Sequence, residues 1–397
     1  MAFTTQAADG HVIRYVDGKR YLWLMSLTGP LVPMVAIYWY FAIGSNPLTL
    51  LFPLAYTFIV IPIVDLAMGE DRHNPPEEIV AAMSQDNYYR FLLYVAIALL
   101  YIDFLVVAWF IGTHTLVWWA MLGLSLGAGY TSAGALLIGH ELGHKNNVAD
   151  KRAAQIVNAL VGYGHFCIEH NRGHHVQVST PEDFASSRMG ESIYKFIRRE
   201  IPGALRRGWA HEVERLAKLG FANRWTWHNE ILQSWALTAM IAATLFAMFG
   251  WIMAPFLLIH HFYGWYGLTQ ANYVEHYGLL RQKLTNGRYE LCEPRHSWNT
   301  NHTYSNLISF HLQRHSDHHA NALRPYQALR DFDNLPRLPS GYPGCFGMAA
   351  IPWLWFKVMD PKVMAWAGGD IAKVNIDPDK KDELYAKYGK QVGALAA

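Results

Sequence analysis

Six apolar stretches govern what this chain can become. Residues 21–43, 47–68, 91–112, 116–139, 233–250 and 253–274 each meet or approach the roughly 20 residues that a helix needs to cross a bilayer. A backbone in hydrocarbon has to satisfy its own amides, so stretches of this kind read as helices. The expectation is an all-α integral membrane protein with six transmembrane helices, residues 1–397 forming one membrane-embedded domain. Mean hydropathy is only +0.05 because polar segments alternate with these stretches. An even number of crossings puts both termini on one side. The turns at 44–47, 112–115 and 250–255 contain no Lys or Arg, whereas residues 145–232 hold thirteen, so the positive-inside rule makes segments 69–90, 145–232 and 277–397 and both termini cytoplasmic. Asp9, Arg14, Asp17, Lys19 and Arg20 precede an apolar run too long for a signal-peptide core, which reads as a retained anchor. Residues 191–210 read as a basic amphipathic helix, with Ile193, Phe196, Ile197 and Ile201 on the apolar side, either at headgroup level or packed on the protein.

Net charge is +2, which leaves no basic field for nucleic acid. Cys167, Cys292 and Cys345 are far apart and form no C-x-x-C pair, so the chain encodes neither a disulfide framework nor a rubredoxin-type iron–sulfur site. Electrons for any redox chemistry must then come from another polypeptide.

Of 20 histidines, nine fall into three dense boxes and one isolated site. HELGH supplies His140 and His144, EHNRGHH supplies His170, His174 and His175, HSDHH supplies His315, His318 and His319, and His276 ends the last apolar stretch. On a helix, positions i, i+3 and i+4 share a face, so imidazoles at these spacings can converge. Nine ligands exceed what one ion accepts; two metals follow, with four or five imidazoles each. An acid stands beside a histidine at each place: Glu141, Glu169, Glu275 and Asp317. Neighbours on a helix point about 100° apart, so each acid is expected to brace a histidine elsewhere rather than bind metal itself.

HELGH also matches the H-E-x-x-H pattern of zinc proteases, in which the glutamate activates water. That mechanism would leave the remaining clustered histidines without a purpose. A histidine-rich metal transporter would hold its site at the midplane, whereas these boxes fall at a membrane edge. Zinc has no redox chemistry, while imidazole sites also take iron. Two irons facing a greasy channel are suited to oxygen chemistry on hydrocarbon.

The order HELGH, EHNRGHH, NYVEHYGL at 272–279 and LQRHSDHH at 312–319 resembles the membrane-bound alkane 1-monooxygenases, relatives of the membrane fatty-acid desaturases and hydroxylases. The likeness runs from YLWLMS at 21–26 through GEDRHNPPEE at 69–78 and RMGESIYKF at 188–196 to MDPKVMAWAGGD at 359–370. It implies a non-haem di-iron centre without haem or flavin in this chain, O2 as oxidant, an n-alkane substrate hydroxylated at its terminal carbon, an inner-membrane location, and electrons passed from NADH through rubredoxin reductase and rubredoxin. By motif, the implied metal ligands are the nine histidines named above. A fatty-acyl desaturase or hydroxylase of the same superfamily is the alternative. TPEDFASSR at 180–188 departs from the family's T-P-x-D-P-A pattern, with Phe184 where proline is usual; no effect at the metals is expected from it.

An alkane offers no polar handle, so selection for its end must come from a narrow apolar tube. Leu51, Leu54, Thr57, Phe58 and Ile61 in the second stretch, with Phe262 and Trp265 in the sixth, are the candidate lining residues. Gly123, Gly127, Gly129 and Gly134 are expected to let helices approach closely.

Overall fold

Apolar length and imino-acid placement together shape the membrane part. The computed structural model describes residues 2–389. Four apolar helices come first: α1 (Leu22–Ala42), α2 (Pro47–Met68), α3 (Asn87–Thr113) and α4 (Trp118–Gly143). Two more polar helices follow, α5 (Val148–Ala159) and α6 (Ile193–Lys218). A fifth apolar stretch, Glu230–His276, runs for 47 residues and is divided at Gly250, φ 72°, into α7 (Glu230–Phe249) and α8 (Met253–His276). Five stretches are thus long and apolar enough to cross a membrane.

The fifth stretch folds back on itself. A Cβ built on Gly162 would meet Thr238 at 3.4 Å and His261 at 3.2 Å, although those residues lie on either side of the Gly250 break. On a straight helix they would be about 35 Å apart at 1.5 Å per residue.

Prolines give α1 and α2 an irregular backbone. In α1, Leu22–Leu27 and Gly29–Leu31 are tight 3₁₀ turns before the regular Val32–Ala42. In α2, Tyr56–Val60 is a wide π turn ahead of Pro62. Each proline lacks an N–H for the helical ladder, which loosens the turn around it.

The all-α expectation needs one correction. Ala2–Gln6 (β1) pairs antiparallel with Val12–Val16 (β2), Ala2 opposite Val16. Both segments alternate in burial or polarity, and Asp9-Gly10, with Gly10 at φ 88°, supplies the turn.

Close packing of α4 on α8 fixes the frame for the histidines. Gly129 stands where a Cβ would come 2.8 Å from the His260 carbonyl oxygen, and a Cβ on Gly267 would come 2.6 Å from Ala133 Cβ. Gly123 and Gly127 similarly accept Leu51 and Pro53, whereas Gly134 meets nothing closer than 3.9 Å and is not a packing glycine. On α6, Ile193 and Phe196 are fully buried together with Glu200, Gly203, Ala204 and Gly208, so this face is a packed protein face. Beyond α8 the chain forms short helices, among them α9 (His315–Ala320), α10 (Tyr342–Ala349) and α11 (Pro352–Trp366). Tyr273, Tyr277, Trp298, Trp355 and Met359 knit this region to the end of α8.

Candidate metal centre

The nine clustered histidines meet at the ends of α4 and α8. They form two groups: His140, His144, His170, His175 and His318 in one, and His174, His276, His315 and His319 in the other. Within each group, one ring nitrogen per residue lies within 4.8 Å of every other.

Helix geometry explains the partition. His140 lies in the last turn of α4 and His144 caps it, four residues on, so both face the first group. His276 is the last residue of α8 and joins the second. On α9, His315 and His319 are one turn apart with Nε2 atoms 2.9 Å from each other, while His318 points to the first group, 3.2 Å from the Nε2 atoms of both His144 and His175.

The second box behaves differently from a plain helix. Residues His170–His174 form a π turn between α-helical Phe166–Glu169 and His175–Gln177. In an α-helix, residues five apart point about 140° from each other. The wider turn instead brings the Nε2 atoms of His170 and His175 to 3.0 Å and sends the intervening His174 to the other group. Turns of this type recur at functional sites. Spacing rules of i+3 and i+4 pair His170 with His174, and the extra residue in the turn overrides them.

These nitrogens suit a metal shell. Two imidazole nitrogens at right angles about one ion, each about 2.1 Å from it, sit about 3 Å apart, close to the 2.9–3.2 Å separations found. Nε2 of His140 and His174 and both ring nitrogens of His276 are buried without any other hydrogen-bond partner among the described residues. Burial first, and neighbouring imidazoles second, hold His144, His170, His175, His315, His318 and His319 well below the ordinary histidine value. They are therefore neutral, the state a metal ligand requires.

Bracing by acids differs from the expectation drawn from adjacency. Glu141 bonds Lys145 at 2.7 Å and accepts from the Tyr326 amide at 3.3 Å. Asp317 accepts from Asn321 and from the Arg330 amide and faces Arg324, fastening the loop after α9. Glu169 pairs with Arg207. Neither these three nor their partners' side chains bond a histidine of the groups directly: on short polar turns, cations and amides nearer in space claimed the carboxylates. Of the four, only Glu275 reaches one, with Oε2 3.2 Å from His315 Nε2, the nitrogen that faces His319, and not from its far nitrogen, while Oε1 accepts from the Tyr342 hydroxyl at 2.7 Å.

Sequence reasoning missed Asp183. Its Oδ2 receives the His174 Nδ1–H at 2.8 Å and the Ser186 hydroxyl at 2.7 Å, and its Oδ1 receives Arg207 at 2.8 Å. Burial would raise this carboxyl, but His174 and Arg207 facing it hold it well below the usual carboxylate range. Such a partner fixes the tautomer that turns Nε2 of His174 to its group. The signal in the sequence is the TPEDFASSR run, which carries this aspartate. Phe184, in that run, lies under Arg207 with its ring centroid 5.2 Å from the guanidinium carbon. It is one contact removed from the Asp183–His174 pair and touches none of the clustered histidines itself.

A cavity of about 170 Å³ abuts both groups. His140 and His170 of the first and His315 of the second line one part of it, with Leu136, Leu137, Phe166, Leu268, Ala271, Leu312 and Phe346 elsewhere. Its surface is almost wholly carbon. Of the residues expected along a substrate path, Thr57 lines this cavity. Leu51 and Leu54 instead pack against α4 glycines, Phe58 meets Tyr130 edge-on behind the wall, and Ile61 is buried in α2. Phe262 is 41% exposed on the outside of the bundle, and Trp265 donates to the Val161 carbonyl at 2.6 Å. Both α2 and α8 present more than one face, and apolar composition does not tell which face turns inward.

Comparison with known proteins agrees with this geometry. Residues 116–347 match the fatty acid desaturase family model. The chain is 50% identical to an alkane 1-monooxygenase of Pseudomonas putida, over 96% of this chain and 94% of that one. It is also 50% identical to an alkane 1-monooxygenase of Ectopseudomonas oleovorans, over 94% and 93%, and 48% identical to alkane 1-monooxygenase 1 of Alcanivorax borkumensis, over 94% and 92%. Histidine boxes gathered at the ends of apolar helices, and identity that runs nearly the length of both partners, make this chain a member of the alkane 1-monooxygenase family, within the wider fatty acid desaturase family.

Proposed function

We propose that this chain is a di-iron monooxygenase that converts medium-chain n-alkanes to primary alcohols, using O2 and electrons delivered by rubredoxin from an NADH-dependent rubredoxin reductase. The observation that carries the reading is the carbon-lined cavity touched by imidazoles of both nitrogen groups. A substrate without polar atoms gains from such a surface simply by leaving water. The relatives named alkane 1-monooxygenase supply the substrate class.

His140, His144, His170, His175 and His318 would hold one iron and His174, His276, His315 and His319 the other. When bound, the irons supply the redox chemistry that activates O2 for attack on a C–H bond. The chain's own part is orientation and exclusion of water. Asp183 holds the His174 ring in one tautomer, and Arg207 keeps Asp183 ionised. A flexible chain held against this carbon surface would present its terminal carbon to His140, His170 and His315.

We read Glu230–His276 as two crossings, because 47 helical residues would extend about 70 Å, more than twice the bilayer's hydrocarbon. Six crossings then place both termini and the histidine-bearing cap in the cytoplasm, with the chain in the inner membrane as one catalytic unit. Arg172 and Arg198 are exposed near the second box and on α6 and would favour an acidic electron-carrying partner.

A fatty-acyl substrate is the second reading, favoured by the wider family's name. The protease reading fares worse: Glu141, which would have to activate water, is bound to Lys145 and the Tyr326 amide. Incubation with octane, NADH, rubredoxin and its reductase is expected to yield 1-octanol, with two irons per chain by metal analysis. A single zinc, or product only from an acyl thioester, would contradict the proposal.

A further inference from the structure

Within the stretch read above as cytoplasmic, residues 338–356 carry no Asp, Glu, Lys or Arg, with Arg337 and Lys357 on either side. Pro339, Pro343, Gly347 and Pro352 make this run too broken to cross a bilayer as one helix. It folds instead as a hairpin, α10 followed by the start of α11. Contacts with two apolar helices fix where the hairpin goes. Gly341 lies against the Asp65 carboxylate near the end of α2, and a Cβ on Gly347 would come 4.0 Å from the Phe58 ring, two turns deeper. On α8, the Tyr342 hydroxyl donates to Glu275 at 2.7 Å, and Gln270 donates to the Phe346 carbonyl at 3.4 Å. Asp65 to Phe58 is about 10 Å along a helix and Glu275 to Gln270 about 7 Å. Both helices therefore have α10 descending away from the histidines. α11 then climbs back: Trp355 packs on Tyr273 and Tyr277 with ring centroids 5.4 and 5.5 Å apart, and Val363 packs on Gly278.

The depth reached is that of hydrocarbon. On α2, Ile59, Ile63 and Leu66 are exposed and apolar, and Leu66 lies nearer the histidine end than Asp65. The tip of the hairpin continues this outward apolar surface with Ile351 and with Trp353, 68% exposed. A loop survives among acyl chains only with its amides and carbonyls bonded. Here the Ala350 and Ile351 amides donate to the Phe346 and Met348 carbonyls at 3.1 and 3.0 Å, and Pro352 has no N–H to satisfy. The Ala350 carbonyl accepts from the Tyr194 hydroxyl at 2.7 Å, and the Ile351 carbonyl from the Trp355 amide at 3.0 Å. Tyr194 and Trp353 are the side chains that favour a headgroup boundary. Lys357, exposed and one turn after Trp353, can carry its ammonium back to water along its own stem.

We infer that residues 341–356 form a re-entrant hairpin that dips into the bilayer from the histidine side and rests Ile351 and Trp353 on lipid acyl chains. Its other side is the cavity, which Tyr342, Pro343 and Phe346 help to line. On the monooxygenase reading above, the hairpin is thus the partition between alkane dissolved in the membrane and the site that oxidises it.

The test reconstitutes the full chain in vesicles of phosphatidylcholine and phosphatidylglycerol that carry a phosphatidylcholine with a photoreactive diazirine midway along one acyl chain. Irradiation followed by peptide mass spectrometry is expected to place adducts at Ile351 and Trp353 as well as at Ile59 and Ile63. Adducts on α2 with none in residues 349–354 would overturn the inference. In a second measurement, Ile351→Cys and Lys357→Cys proteins in open membrane fragments meet a water-soluble maleimide, with the wild type supplying the background of its own cysteines. The thiol at position 351 is expected to react about tenfold more slowly than the one at 357, because hydrocarbon suppresses the thiolate. Equal rates would overturn the inference as well. Neither readout needs turnover, so a labelled hairpin in a chain that leaves octane untouched would overturn the function and not the hairpin.

Discussion

Replacing Asp183 by Asn tests the metal site through a residue that is not itself among the clustered nitrogens. The two oxygens have distinct duties. Oδ1 faces the Arg207 guanidinium at 2.8 Å and the Ala185 amide at 3.3 Å, while Oδ2 receives His174 and Ser186. Asparagine keeps one acceptor, and the cation with its neighbouring amide claims it. The NH2 then points at His174 Nδ1, where two donors cannot face each other. The ring answers by moving its proton from Nδ1 to Nε2, which withdraws one of four nitrogens from the second group. Loss of a partner of this kind costs about 10–100-fold in metal affinity, or about 1.4–2.7 kcal/mol. The assay is iron per chain after equilibration with a graded series of chelator. Asp183→Asn should shed about one iron at chelator concentrations that leave the wild type fully loaded, with the first group unaffected. Two irons retained across the same series would refute the tautomer argument.

His276→Ala should lower iron content and alkane hydroxylation together, since it leaves the second group three nitrogens; full loading with normal turnover would remove His276 from the ligand set. Phe184→Ala removes the ring beneath Arg207 and should lower the thermal midpoint by an amount equivalent to about 1 kcal/mol, read by unfolding in detergent, with easier loss of iron to chelator. Ala271→Leu adds three carbons to the cavity wall and should shift preference towards shorter alkanes in a competition assay, with iron unchanged. Burial pushes the Asp360 carboxyl from 3.8 up to about 6, against the Tyr277 hydrogen bond. An acid raised on folding loses stability as pH climbs from its unfolded to its folded value, so Asp360→Asn should be more stable than wild type by about 3 kcal/mol at pH 8 and no more stable at pH 4; equal thermal midpoints at pH 8 would refute this.

Much of this architecture is legible in residue order alone. Apolar length located the five stretches long and apolar enough to cross a membrane to within a few residues, because hydrocarbon leaves a chain few other solutions. Box density located the nine histidines. Four things escaped. The π turn at His170–His174 leaves no mark that spacing rules detect, since one added residue in a turn looks like any other helical residue. The partner of His174 came from Asp183, nine positions away on a turn, because adjacency on a helix points two side chains in different directions. Of the residues expected along the substrate path on α2 and α8, Thr57 alone lines the cavity, because these helices are apolar on more than one face, leaving no polar side to orient them. The hairpin at Ala2–Gln6 and Val12–Val16 is marked only by a short alternation on either side of Asp9-Gly10, too brief to stand out from the charged residues around it.

His174 and His175 are joined by a single peptide bond yet serve opposite groups, because the widened turn rotates one away from the other. The two pockets consequently share one backbone turn, and a change within it reaches both. Deleting one residue within 170–174 would swing everything after it by about 100°, and both pockets would be dismantled by the same cut. Either half can be retuned alone only through residues that reach it from outside the turn, as Asp183 does for the second group.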